Sequence, residues 1–167
     1  MEAEYGRNQS PEKEQHFTLP LTKKNKGSPH MKKYKIIIVE NDEDEQLFMK
    51  EGFDAADLFN LIAQLKNGDA LLEWLGDNPQ AMPDIVLSDL NMPGKNGYDI
   101  INDLKCNPSY SHIPVIITST SSTKTIMDKC LAMGAAAYVI KPDTFIEYVP
   151  YVRNLHKLIG EKQLVKS

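Results

Sequence analysis

Two periods alternate along this chain from residue 31 onward. Short, nearly continuous apolar runs recur as "YKIIIVE" (34–40), "LIAQL" (61–65), "DIVLS" (84–88), "PVIITS" (114–119) and "AAYVI" (136–140). Runs of this length without polar alternation predict strands covered on both faces. The segments between them place apolar residues near helical spacing: "DEQLFMKEGFDAADLF", "DALLEWL", "YDIINDLK" and "TIMDKCLAM", with "TFIEYVPYVRNLHKLIG" at the end. Five such strands alternating with five helices predict an α/β domain, a doubly wound parallel sheet with helices on both faces. In such folds a site lies outside the carboxyl ends of the strands.

Punctuation residues refine the boundaries. Gly52 interrupts the first helical pattern and argues against an unbroken helix there. Asp69 is a candidate N-cap for the second helix, and Gly134 stands where a C-cap belongs. Pro150 should kink the last helix or mark a break in it. Residues 1–30 show neither period, are polar and carry three prolines, and read as a disordered arm or an extension. The expected organisation is that arm, a domain over 31–160, and a short tail over 161–167.

Composition changes this picture little. The chain has 167 residues, 41% apolar and 25% charged, with a formal charge of −4. The arm holds five basic and four acidic residues, so the remainder has 14 basic against 19 acidic and is the more acidic part, at −5. That balance argues against nucleic acid as a partner. Lys23, Lys24 and Lys26 in the arm read as a solvated cluster, with a docking or nucleic-acid patch as the other possibility. Cys106 and Cys130 have no partner at zinc spacing and make no disulfide framework, which suits a reducing compartment. No apolar run is long enough to cross a membrane, and no signal-peptide pattern opens the chain. A cytoplasmic protein is the expectation.

The strand ends carry the chemistry. The first strand ends in Glu40, Asn41 and Asp42, the third in Asp89, the fourth in Thr118, Ser119 and Thr120, and the fifth in Lys141 and Pro142. The predicted sheet gathers these ends on one rim. Converging carboxylates repel unless a cation is present. An all-oxygen set suits Mg²⁺, which accepts one or two carboxylates and keeps several waters. An ionised Asp is a competent nucleophile toward phosphorus. Lys141 can pair with transferred oxygens, and Ser119 can donate a hydrogen bond to them. Positioning and charge neutralisation are most of what phosphoryl transfer requires.

The order acidic pair, Asp, Ser/Thr and Lys-Pro at successive strand ends resembles the receiver domain of two-component response regulators. "VEND", "DIVLSDLNMPGKNG", "PVIITS" and "GAAAYVIKP" carry the resemblance, over residue 34 to about 160. It implies a flavodoxin-like (βα)5 fold with strand order 2-1-3-4-5. It implies Asp89 as phospho-acceptor, Ser119 as switch hydroxyl, Lys141 as phosphate-pairing lysine and Tyr138 as aromatic switch. It implies Mg²⁺ bound by Glu40, Asn41, Asp89 and the backbone carbonyl of Asn91. A cis peptide before Pro142 is also implied, as is a histidine kinase or histidine phosphotransfer protein as phosphoryl donor. With only "EKQLVKS" after the last helix, the resemblance is to a stand-alone receiver. Such a protein signals by changed binding of a downstream protein, as a monomer or a phosphorylation-dependent homodimer, and is not an enzyme beyond self-catalysed phosphorylation and dephosphorylation.

Asn41 departs from the pattern, since that position is usually Asp. An amide oxygen can ligate Mg²⁺ but brings no charge, so weaker metal binding or recruitment of Asp42 is expected. Each residue also has a plainer reading. Asp89 alone is a turn former, Lys141 a solvated lysine, Tyr138 half-buried packing, and Ser119 or Thr120 a helix cap. The acidic run 42–45 suits a helix start. Trp74 and the methionines read as core, and His112 and His156 lie outside the rim with no role. Two other functions stay open: a degenerate receiver that only binds partners, and a Mg²⁺-dependent phosphatase using an aspartyl-phosphate. Asn91 disfavours the phosphatase, which usually carries a second Asp two residues after its nucleophile.

Overall fold

The computed structural model describes residues 31–166; the arm expected over 1–30 and Ser167 lie outside the described residues. The elements run β1 (Tyr34–Val39), α1 (Glu43–Ala56), β2 (Phe59–Leu65), α2 (Gly68–Asp77), β3 (Ile85–Asp89), α3 (Gly97–Cys106), β4 (Val115–Ser119), α4 (Lys124–Met133), β5 (Ala137–Ile140) and α5 (Tyr148–Glu161). A 3-10 turn at Phe145–Glu147 precedes α5. The five strands form one sheet in the order β2-β1-β3-β4-β5, and every neighbouring pair is parallel. This is the flavodoxin-like arrangement expected from the sequence.

Alternation along the buried strands divides the core in two. Ile36 and Ile38 of β1, Ile85 and Leu87 of β3 and Ile116 of β4 pack with Met49 and Phe53 of α1 and with Val152, Leu155 and Ile159 of α5. Ile37 and Val39, Val86, and Val115 and Ile117 face the other way, onto Leu71 and Leu75 of α2, Ile100, Ile101 and Leu104 of α3 and Cys130 of α4. Each fully buried Ile or Leu is worth about 1.5–3 kcal/mol in transfer free energy, so both layers are anchored firmly.

Several boundaries differ from expectation for physical reasons. β2 begins two residues before the apolar run, at Phe59, whose side chain is buried beside Phe53. Asn67, not Asp69, caps α2, and its side chain accepts from the Ala70 N–H. α1 passes through Gly52 unbroken, and the glycine serves packing: a Cβ there would sit 2.6 Å from Tyr148 Cβ, so its absence makes room for α5. Pro150 does not break α5. It lies in the first turn, where a backbone N–H has no intrahelical partner to lose. Gly134 does cap α4, with φ +111. After α5, Gln163 turns through a left-handed conformation, and Leu164 and Val165 pack against the α1/α5 core.

Candidate functional site

The same alternation that divides the core aims the strand ends. Glu40 continues the Ile36–Ile38 side of β1, Asp89 the Ile85–Leu87 side of β3, and Lys141 follows Ala137 and Val139 on β5. All three therefore emerge on the α1/α5 side of the sheet. Lys141 Nζ donates to Glu40 Oε2 at 2.6 Å and stands 3.3 Å from Asp89 Oδ1. The Glu40 and Lys141 side chains are only 2% and 8% exposed. The Lys141 backbone is fixed as well, since its N–H donates to the Ser119 carbonyl at 2.9 Å.

Sequence reasoning missed one member of this group. Glu45, in the first turn of α1, brings Oε1 to 4.0 Å from Lys141 Nζ. The buried Tyr148 hydroxyl donates to that carboxylate. In the sequence Glu45 is indistinguishable from an ordinary acid at a helix start; the only available signal was that this helix start abuts the end of β1. Asp42, considered as a metal ligand, is instead the N-cap of α1: its Oδ1 accepts from the Glu45 N–H at 2.8 Å, and its own N–H donates to Glu40 Oε1 at 3.1 Å.

Ser119 and Tyr138 belong to the other side of the sheet, in line with Ile117 and the α2–α4 core. Ser119 is buried, and its Oγ accepts from the Ser121 N–H at 3.2 Å. Tyr138 is half-buried and donates its hydroxyl to the Ser121 carbonyl at 2.7 Å. Both residues thus hold the loop after β4, and neither Ser119 nor Thr120 caps α4, whose N-cap is Thr123. Asn41 and Asn91 stand exposed in the loops after β1 and β3. The peptide before Pro142 is trans, as are all described peptides, contrary to the family expectation. Lys141 is held inward by its ion pairs and its backbone bond to β4.

The electrostatics follow from burial and crowding. Burial raises the Asp89 carboxyl above the ordinary aspartate range; Lys141 opposes this and Glu40 adds to it. Burial also raises Glu45, again opposed by Lys141 and reinforced by Glu40, Asp42 and Asp89. For Lys141, burial pulls downward, but the Glu40 hydrogen bond and the acids around it win, and the ammonium is held above its usual range. Glu40, Asp42, Glu45 and Lys141 line a cavity of about 380 Å³ beside Thr120 and Pro142. Its oxygen-rich, net acidic wall matches the chemistry of a hard divalent cation. Among the described residues no three His, Cys, Asp or Glu side chains already converge as a ready-made metal cage. Lys141 occupies the space between Glu40 and Asp89 instead.

Solved structures share this fold. The family model for the response regulator receiver domain matches residues 36–152. The chain is 32% identical over 89 residues to two-component response regulator ARR3 of Arabidopsis thaliana, covering 48% of this chain and 38% of that one. The match covers 23% to 57% of the length of the first three curated relatives, and 80% of two-component response regulator ORR5 of Oryza sativa subsp. japonica. Among solved structures, response regulator RPA3017 in red light signaling of R. palustris is 28% identical with a TM-score of 0.66, covering 73% of this chain and 90% of that one. The Mn(2+)-bound form of response regulator Rcp1 is 22% identical with a TM-score of 0.67, covering 80% of this chain and 99% of that one, a likeness of fold. With the sheet order, the placement of Asp89 beside Lys141 and the family match over most of its length in agreement, the chain belongs to the response regulator receiver domain family of two-component systems.

Proposed function

We propose that the protein is a phosphorylation switch whose acceptor is Asp89. The observation that carries this reading is the single ammonium of Lys141 set 3.3 Å from Asp89 and 2.6 Å from Glu40 at the carboxyl rim of the sheet. An Asp89 oxygen forms a P–O bond while the P–N bond of a donor phosphohistidine breaks, its electron pair returning to the imidazole. The donor is a histidine kinase or a histidine phosphotransfer protein. Lys141 then exchanges its carboxylate contacts for the transferred oxygens. Water later cleaves the acyl-phosphate, releasing phosphate and restoring Asp89.

A divalent cation such as Mg²⁺ would be held by Glu40, Asp89, the Asn41 amide oxygen and the Asn91 carbonyl; when bound it neutralises charge on the entering phosphoryl group. The acid-rich wall that Glu40 shares with Asp42, Glu45 and Asp143 supports a divalent cation beside Lys141, and the fold neighbour Rcp1 has been crystallised with Mn²⁺. Ser119 supplies the hydroxyl that turns toward the phosphate. Doing so frees the Ser121 N–H it now accepts from, and loosens the loop to which Tyr138 is tied. Tyr138 then turns inward, and the face formed by α4, β5 and α5 changes what it presents to a downstream protein. The described residues contain no helix long and apolar enough to cross a membrane.

Incubation with beryllofluoride or acetyl phosphate and Mg²⁺ tests the reading. A stable adduct on the wild-type chain that disappears in Asp89→Ala is the expected result. Rapid multiple turnover of acetyl phosphate would point to a phosphatase, and an inert wild-type chain to a module that only binds partners. The exposed amide at Asn41 and the occupation of both carboxylates by Lys141 are the observations that keep the last reading in view.

A further inference from the structure

We propose that Glu45 supplies to the cation site the negative charge that Asn41 omits, acting on the ion as a positioning residue from the first turn of α1. The inference rests on the receiver reading above and concerns how this chain makes that site work with an amide at position 41.

The placement of Glu45 is built rather than incidental. Its backbone N–H is fixed by Asp42 Oδ1 at 2.8 Å. Its carboxylate is bonded by the hydroxyl of Tyr148, a residue 2% exposed that projects from α5 between the two helices. Gly52 clears the space for Tyr148, since any Cβ there would meet the Tyr148 Cβ at 2.6 Å. The outcome is an acid 4.0 Å from Lys141 Nζ with its side chain 27% exposed, lining the same cavity as Glu40 and Asp42. An acid whose only task was to favour the helix start would need no buried phenol to aim it.

The charge arithmetic explains the need. Of the side chains around the Lys141 ammonium, Glu40 and Asp89 bring two negative charges against its one positive and Asn41 brings none; Asp42 and Asp143 line the same cavity but form no ion pair with Lys141. Glu45 returns the site to a net charge that attracts a divalent ion, and it remains when Lys141 turns to the phosphoryl group. The described carboxylates do not form a three-acid cage, so Glu45 acts across the cavity, through the field and through the waters that a small hard cation keeps. Attraction between opposite charges across such a gap is strong because the rim is partly desolvated.

The test measures Mn²⁺ binding to the full chain, from the loss of the free-ion electron paramagnetic resonance signal, for wild type, Glu45→Gln, Asn41→Asp and the double variant. Glutamine keeps the volume and a hydrogen-bond acceptor for Tyr148 but removes the charge. Glu45→Gln should weaken Mn²⁺ binding on the order of tenfold. Asn41→Asp should tighten it, and the double variant should return to within about threefold of wild type. A purely structural loss at Glu45 would not be rescued by a charge placed at position 41. Wild-type binding that Glu45→Gln leaves intact, or a loss that Asn41→Asp does not restore, overturns the inference alone. A wild-type chain that binds no Mn²⁺ overturns the cation site and the inference together.

Discussion

Lys141 Nζ lies 2.6 Å from Glu40 Oε2 across 101 positions of chain, and both side chains are almost fully enclosed. A buried ion pair adds little net stability, because desolvation consumes most of the attraction, but breaking it from one side is expensive. Lys141→Met leaves the Glu40 carboxylate enclosed with only the Asp42 N–H beside it. The expected cost is about 3–5 kcal/mol. Adding Glu40→Gln should recover a large part of it, a coupling of about 2 kcal/mol or more between the two positions. Urea midpoints of the two single variants and the double variant measure this; strict additivity would contradict it.

Asp89 is held as a carboxylate at a stability cost. Its proton affinity is raised in the fold, chiefly by burial, so the folded state binds that proton more tightly than the unfolded chain does. The sign then runs one way. The penalty is absent below the unfolded value, near 3.9, and grows as pH rises through the higher folded value. Asp89→Asn should therefore be more stable than wild type at pH 7 in metal-free buffer. A gain of about 1 kcal/mol would raise Tm by roughly 3–6 °C in a domain of this size. The advantage should shrink as the buffer is acidified toward pH 4. An Asp89→Asn chain that is less stable at pH 7 would show that the Lys141 contact outweighs burial.

Gly97 opens α3 directly beneath the acceptor strand. A Cβ there would stand 2.7 Å from the Asp89 carbonyl oxygen and 2.9 Å from Leu90 Cα, both backbone atoms that cannot swing away. Gly97→Ala should cost about 1–3 kcal/mol. Because the displaced backbone belongs to Asp89, it should also slow labelling by acetyl phosphate. Gly76 in α2 is the control, with no atom within 4 Å of its added Cβ. Gly76→Ala should leave labelling unchanged and stabilise by about 0.5–1 kcal/mol through helix propensity. Thermal melts and labelling rates of the pair decide the matter.

The strands, their parallel direction and the rim positions of Asp89 and Lys141 were legible in the sequence, because burial on both faces leaves an unbroken apolar run and the chemistry falls at its end; the strand order came only with the family resemblance. The convergence of Glu40, Asp89 and Lys141 on one side, with Ser119 and Tyr138 on the other, was implicit in the alternation of residues along each strand. Glu45 was not legible. Its orientation depends on Tyr148, 103 positions away, and on the space left by Gly52, which local pattern reads only as a weak point in a helix. The cap of α2 was missed for a related reason: Asn67 and Asp69 have equal chemical claims, and only the extended backbone at Asn67 decides between them.

Tyr151 carries the last prediction. Its ring packs edge-on against Tyr148, and its hydroxyl is 2.7 Å from Thr118 Oγ1, with both residues buried. Thr118 is the register partner of Asp89, so this bond fastens α5 to the strand beside the acceptor. Tyr151→Phe leaves the Thr118 hydroxyl enclosed without its partner and should cost about 1–3 kcal/mol. Thr118→Val added to it removes the orphaned group and should restore most of the loss. Alkaline pH offers an independent check. Burial pushes the Tyr151 phenol well above its ordinary range, so the folded state keeps a proton that the unfolded chain releases near pH 10. The stability this represents is complete below about pH 10 and is lost as pH rises toward the folded value. Tyr151→Phe should flatten that alkaline fall in the urea midpoint, and an unchanged slope would place the phenol in contact with solvent.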